Sequence, residues 1–236
     1  MTRDTGHLLV IDTATTHARI ALGTAAGTLR AERSWVAGYR HGEELLARVE
    51  RLLADEDLEL DAIGGIVVGT GPGAFTGLRV GLATAKALAY ARGIPIVGIP
   101  TGEALLAAAG GGALVLLQPA GPSDRVVTRS GEPPRIIAGG DEAELAPGER
   151  VVAVDLDGRA SDEAVSAGRA AVGGLAAALL GAGAGRLAAD DPDDLATLVP
   201  EYVTLPRGVR GVDAGSGVAI EGARGARVTG AAGVPR

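Results

Sequence analysis

Two strand ends carry the residues with the clearest chemical potential. Asp12 closes the apolar run Leu8-Leu-Val-Ile-Asp12 and leads into Thr13-Ala-Thr-Thr16. An acid there either holds a magnesium ion through water or caps the local backbone. Gly71-Pro72-Gly73 lies between an apolar strand and a helix, where a tight turn aims backbone N–H groups at an anion and the helix dipole assists. Asp12, Thr13, Gly71 and Gly73 are therefore the candidate contacts for a nucleotide or anion. The bland alternative is a strand-to-helix turn that needs glycine for its backbone angles alone, and no Walker-type Lys-Ser/Thr pair follows it.

Other constellations are poorer. The chain has no cysteine, which excludes disulfides, thiol catalysis and thiolate metal sites. Its histidines are His7, His17 and His41, and no two have the one-turn spacing that aims a helical pair at one metal. Ser216 sits in Gly215-Ser-Gly217 without the strand–turn–helix setting of a nucleophile elbow. The run Asp190-Asp-Pro-Asp-Asp194 reads as a solvated helix start. A net charge of −7 with few aromatics argues against a broad nucleic-acid surface.

The elements that position these residues follow from apolar periodicity. Residues 8–12, 19–23 and 28–36 read as strands joined by hairpins. Residues 41–55 place Leu45, Leu46, Val49, Leu52 and Leu53 on one helical stripe, with Arg48, Glu50 and Arg51 facing away. A strand over 63–69, a helix over 76–92, a strand over 94–99 and a helix over 101–109 complete the order βββαβαβα. Beyond Gly110-Gly-Gly112, strands at 114–117, 125–129, 135–138 and 151–154 precede an Ala-rich helix over 161–180. From about Gly208, Gly, Ala and Arg dominate without periodicity, which predicts a disordered tail. No continuous apolar run approaches the roughly 18 residues of a membrane span, and the start lacks the apolar region of a secretory signal, so a cytoplasmic protein is expected.

The only phenylalanine and the only lysine, Phe75 and Lys86, fall in one short stretch, Gly69 to Leu88, that spans the glycine loop and the helix after it. Thr76 reads as its N-cap, which puts Arg79 in the first turn, where a cation opposes the helix dipole by about 0.3–1 kcal/mol. Arg79 is then expected to pair with an internal acid, an anionic ligand or another subunit. Gly77, Gly81, Ala85 and Ala89 recur every four residues and form a smooth ridge that another helix, or the chain's own sheet, can approach closely. Phe75 reads as the anchor of the loop, and Lys86 lies off the ridge as a solvated cation or a salt-bridge donor.

The element order resembles the ribonuclease-H-like half of the actin-like ATPase fold. At residue level, Asp12-Thr-Ala-Thr-Thr16, His41-Gly-Glu-Glu-Leu45, Gly71-Pro-Gly-Ala-Phe-Thr-Gly-Leu-Arg79 and Ala85-Lys-Ala-Leu-Ala89 closely resemble the TsaB (YeaZ) family over residues 8–101. Pro200-Glu-Tyr202, with Arg207 nearby, is similar to its C-terminal pattern. Leu117-Gln-Pro-Ala120 departs from the family's Asp-Ala-Arg. The resemblance implies an α/β fold of two units, 1–109 and an abbreviated 110–207, followed by the tail 208–236.

It also implies a non-catalytic dimerisation subunit of the tRNA threonylcarbamoyladenosine machinery, a paralogue of the catalytic subunit TsaD. TsaD holds a metal through His-x-x-x-His, whereas the corresponding helix here reads Thr101-Gly-Glu-Ala-Leu-Leu-Ala107. The implied partners are a TsaD-like subunit, a TsaE-like ATPase, a second copy when alone, and tRNA only through the complex. No intrinsic cofactor is implied beyond a nucleotide at the partner interface. Leu46, Val49, Leu53, Gly77, Gly81, Ala85, Lys86 and Ala89 are the expected partner surface. Enlarging Gly81 or Ala85 is expected to abolish association and leave the fold intact. The alternative is an actin-like ATPase or phosphotransferase that uses Asp12 and Gly71–Gly73.

Overall fold

The computed structural model describes residues 6–36, 41–139 and 143–203, the first three of the middle stretch as backbone alone. Arg207, Ser216, the predicted tail 208–236 and the side chain of His41 lie outside the described residues.

Two mixed sheets share one pattern. In the first, β1 (His7–Asp12), β2 (His17–Thr24) and β3 (Leu29–Val36) are antiparallel, while β4 (Ile63–Gly69) and β5 (Ile96–Ile99) extend it in parallel, giving the order β3-β2-β1-β4-β5. The second has β6 (Leu114–Pro119), β7 (Arg125–Thr128), β8 (Arg135–Ile137) and β9 (Arg150–Ala153) in the order β8-β7-β6-β9. It repeats the first sheet with one parallel strand fewer, and the connection from β8 to β9 contains no helix among the described residues. This is the α/β, ribonuclease-H-like fold with an abbreviated second half.

The strands β1 and β4 are apolar on both faces because both are covered. Leu9, Ile11, Ile66 and Val68 pack with α1 (His41–Asp55) and α2 (Phe75–Arg92), while Leu8, Val10 and Val67 pack with α3 (Thr101–Ala108) and α4 (Asp162–Ala188). The same second core takes in Leu116 and Val152 of the other sheet, so α4 joins the two sheets.

Three boundaries differ from the sequence reading. The strand after α2 starts at Ile96 because Ile94 N–H returns to Ala89 O at 3.1 Å, closing the helix, and Pro95 has no N–H to give. Helix α2 starts at Phe75 with Ala74 as N-cap, and no side chain caps it; Thr76 is not the cap. Ala74 is fixed by its own N–H, which donates to Ala14 O at 2.8 Å. Helix α4 runs on to Ala188, eight residues past the expected end at Leu180.

Helix α4 is also long and apolar enough to cross a membrane by length and composition. The sequence reading missed this because Ala, Val and Leu raise the mean hydropathy while interspersed glycines break any continuous apolar run. Its Ala171, Leu175, Ala176, Leu179 and Leu180 are wholly buried against the chain's own sheets.

Close approach explains the long glycine-rich helix. A Cβ at Gly168 would overlap the Ala153 carbonyl and one at Gly183 would overlap Val67, whereas Gly173, Gly181 and Gly185 face open space. Gly→Ala in an open helix position gains up to about 1 kcal/mol of propensity. Against a backbone carbonyl that cannot swing aside, overpacking costs about 1–3 kcal/mol. Thermal melts are therefore expected to rise for Gly173→Ala and Gly181→Ala and to fall for Gly168→Ala; a rise in all three would refute the packing argument.

Candidate functional site

Asp12 ends β1 with no surface exposed. Its Oδ1 accepts from Ala14 N–H at 3.1 Å and its Oδ2 accepts from the Thr101 hydroxyl at 2.6 Å. The carboxylate packs over Gly69, where any Cβ would overlap it. Burial pushes its pKa upward; the Thr101 and Ala14 hydrogen bonds and the charge of Arg19 oppose this.

Thr101, the first residue of α3, continues the network. Its hydroxyl oxygen accepts from Gly71 N–H at 3.2 Å, and Gly102 N–H donates to Gly71 O at 3.2 Å. The Gln118 side chain donates to Pro72 O at 3.3 Å from the second sheet. Gly71 has φ +105°, a conformation that glycine adopts without strain.

These contacts take up part of the loop's donor set. The N–H of Gly71 goes to Thr101 and that of Ala74 to Ala14, and Pro72 has none. A Cβ at Gly73 would overlap the Ala14 carbonyl, one at Gly77 the Thr13 carbonyl, and one at Gly81 the Thr13 hydroxyl. Thr13 itself donates to Gly77 O at 2.7 Å. Buried and doubly engaged, Asp12 does not fit a water-held magnesium ion. Among the described residues no group of three or more His, Asp or Glu is placed to hold a metal.

The structure brings other predicted residues together in a different way. Among the described residues Arg79 pairs with no acid. Its guanidinium lies over the Phe75 ring at 3.7 Å from the centroid, and its Nε donates to the Tyr202 hydroxyl at 3.0 Å. The Tyr202 ring lies 4.9 Å from that of Phe75. Phe75 is thus anchored by Pro200-Glu-Tyr202, which returns to the loop through Glu201 N–H donating to Thr70 O at 2.8 Å. Lys86 Nζ donates to Leu198 O at 3.1 Å, and among the described residues it forms no ion pair.

The expected partner surface divides. Val49, Leu53, Gly77, Gly81, Ala85 and Ala89 are buried within the chain's own fold, whereas Leu46, at the margin of the α1 stripe, is 45% exposed. Enlarging Gly81 or Ala85 would therefore strike the fold itself, contrary to the sequence expectation. The outward side of α2 instead shows Thr76, Ala83, Ala87 and Tyr90, the last 82% exposed.

Sequence reasoning missed Thr101, whose partners stand 30 and 89 residues away. It also missed the use of Asp193, which borders β5 rather than opening a helix: Asp193 N–H donates to Ile96 O at 2.8 Å, and its Oδ2 accepts from Gly98 N–H at 2.7 Å. The signal available was the Arg186-to-Asp193 spacing, since Arg186 pairs with both Asp191 and Asp193.

The network predicts a pH dependence. Because the folded-state pKa of Asp12 lies above its ordinary value, the folded chain holds a proton that the unfolded chain releases, and this contribution fades as pH rises through the folded pKa. Asp12→Asn is expected to remove that decline from urea unfolding midpoints measured between about pH 4 and about pH 8. An unchanged profile would show that Asp12 is ionised at no cost.

The model of the tRNA N6-adenosine threonylcarbamoyltransferase (TsaD) family matches residues 35–155, just over half of the chain. An uncharacterized protein of Mycobacterium leprae is 43% identical over 102 residues, covering 42% of this chain and 28% of its own length. The tRNA threonylcarbamoyladenosine biosynthesis protein TsaB of Haemophilus influenzae is 32% identical over 105 residues, covering 43% and 42%. The chain thus matches less than half the length of these curated relatives. YeaZ from Pseudomonas aeruginosa superposes with a TM-score of 0.58 at 24% identity, over 84% of this chain and 99% of that one, and shares its fold. The chain belongs to the tRNA N6-adenosine threonylcarbamoyltransferase (TsaD) family, as one of its TsaB (YeaZ) members.

Proposed function

We propose that this chain is a non-catalytic subunit of tRNA threonylcarbamoyladenosine biosynthesis in the cytoplasm, binding a TsaD-like catalytic partner and pairing with itself when alone. Support for TsaE-dependent turnover and for indirect contact with tRNA comes through that partner. The observation that carries this reading is how the would-be ligand segment is used. Asp12 and the loop at Gly71–Gly73 are committed to Thr101, Ala14 and α2, which leaves the ATPase alternative without an available carboxylate. The pathway is that of the TsaB protein of Haemophilus influenzae, to which the chain is 32% identical over 105 residues.

The outward faces of α1 and α2 are the proposed partner surface. Buried Gly77, Gly81, Ala85 and Ala89 keep α2 close to the sheet, and Leu46, Ala83, Ala87 and Tyr90 remain in solvent. An aromatic side chain this exposed beside small residues is the kind of anchor that a helical partner buries. Residues 1–109 are proposed to act as the unit that docks, with 110–207 as a smaller support.

Ala87→Arg with Tyr90→Ala is expected to weaken association with the cognate TsaD-like subunit at least tenfold, the loss of about 1.4 kcal/mol that one interface anchor supplies, with the melting temperature unchanged. Sedimentation of the mixed subunits checks this. Undiminished association would reject the surface, and absence of any complex with wild-type chain would reject the partner.

A further inference from the structure

After α4 the chain runs from Asp190 to Val203 without helix or strand, and the last of these residues lines a cavity. The cavity has a volume of about 210 Å³. It lies between Pro72–Phe75, at the loop that leads from β4 into α2, and Pro119–Gly121, at the end of β6, so each half of the fold supplies one wall. Val126, Tyr202 and Val203 complete the lining.

The chemistry of this lining calls for an apolar occupant. No lining side chain carries a charge, and the one side-chain hydroxyl, that of Tyr202, already accepts from Arg79 Nε at 3.0 Å. Pro72 O is taken by the Gln118 side chain. Phe75, Pro119, Ala120, Tyr202 and Val203 are only half-buried, so their apolar surface is left partly open. Small-molecule sites usually offer roughly 300–1,000 Å³; this smaller space suits a single side chain. The sequence supplies one two residues further on. Val203 is followed by Thr204-Leu-Pro-Arg207, and Leu205 is the only leucine beyond Val203. Pro206 disfavours helical backbone at Leu205 and presses it toward extended conformation. A chain that continues extended from Val203 puts Leu205 on the same side as Val203, which is the side of the cavity, and Thr204 on the other. Because the leucine is tethered beside its seat, filling it is an intramolecular step at high effective concentration.

We propose that Leu205 seats in this cavity, so that the chain's own continuation packs between the loop before α2 and the end of β6 and closes the space to any other apolar group. The seat rests on the lining and on the sequence after Val203, and it does not depend on the partner assignment. Its occupant is this chain itself rather than a second copy or a small molecule.

Two features of the composition make the test direct on the full chain, which has no cysteine and a single phenylalanine. Leu205→Cys combined with Ala120→Cys is expected to lose both thiols to a disulfide within one chain under mild oxidation, because Ala120 lines the cavity and bridging requires Cα atoms within about 7 Å of each other and side chains that face each other. Thr204→Cys combined with Ala120→Cys, whose first side chain faces away, is expected to keep its thiols. Fluorophenylalanine incorporated into the chain reports Phe75 alone. Leu205→Ser is expected to shift that fluorine resonance, and Thr204→Ser to leave it in place. Equal cross-linking from positions 204 and 205, a disulfide that joins two chains, or a Phe75 resonance unmoved in Leu205→Ser would overturn the proposal.

Discussion

The closeness of α2 to the turn after β1 is the constraint on which the rest of the structure depends. Gly73, Gly77 and Gly81 lie against the backbone and side chain of Thr13 and Ala14 with no room for a methyl group. That contact sets where α2 begins, since the helix takes its N-cap position from Ala14 O rather than from a capping side chain. It also seals Asp12 beneath the loop, where Thr101 and Ala14 satisfy both carboxylate oxygens. A buried carboxylate without such partners would cost several kcal/mol, so the network and the glycine ridge require each other.

A second tie runs the length of the molecule. Helix α4 contributes to the core shared by both sheets, and the segment after it borders β5, crosses Lys86 and reaches the glycine loop. An exposed parallel edge strand invites pairing with another chain. Here Asp193 and Arg186 occupy Ile96 O, Gly98 N–H and Gly98 O, which blocks that route. The acidic run thus performs a backbone task that its charge alone does not suggest.

Much of the fold was legible because it rests on local pattern. Apolar runs bounded by glycine gave the strands, and the stripe Leu45, Val49, Leu52 and Leu53 gave α1. The glycine at position 93, with φ +61°, ended α2 where the pattern did. What stayed hidden were pairings across long separations. Nothing near Arg79 announces a tyrosine 123 residues on, and nothing near Thr76 shows that a backbone oxygen from another element has already fixed the helix start. The small-residue ridge was visible, but its partner was not, because a smooth surface accepts a second molecule or the chain's own turn equally well. Only the placement of Thr13 decides between them.

That decision is open to one direct measurement, the urea unfolding midpoint of Gly77→Ala. The added methyl meets the Thr13 carbonyl, so a stability loss of about 1–3 kcal/mol is expected despite the better helix propensity of alanine. A midpoint equal to or above that of the wild type would contradict the account, because it would mean that the ridge faces open space and that Asp12 is not sealed by α2.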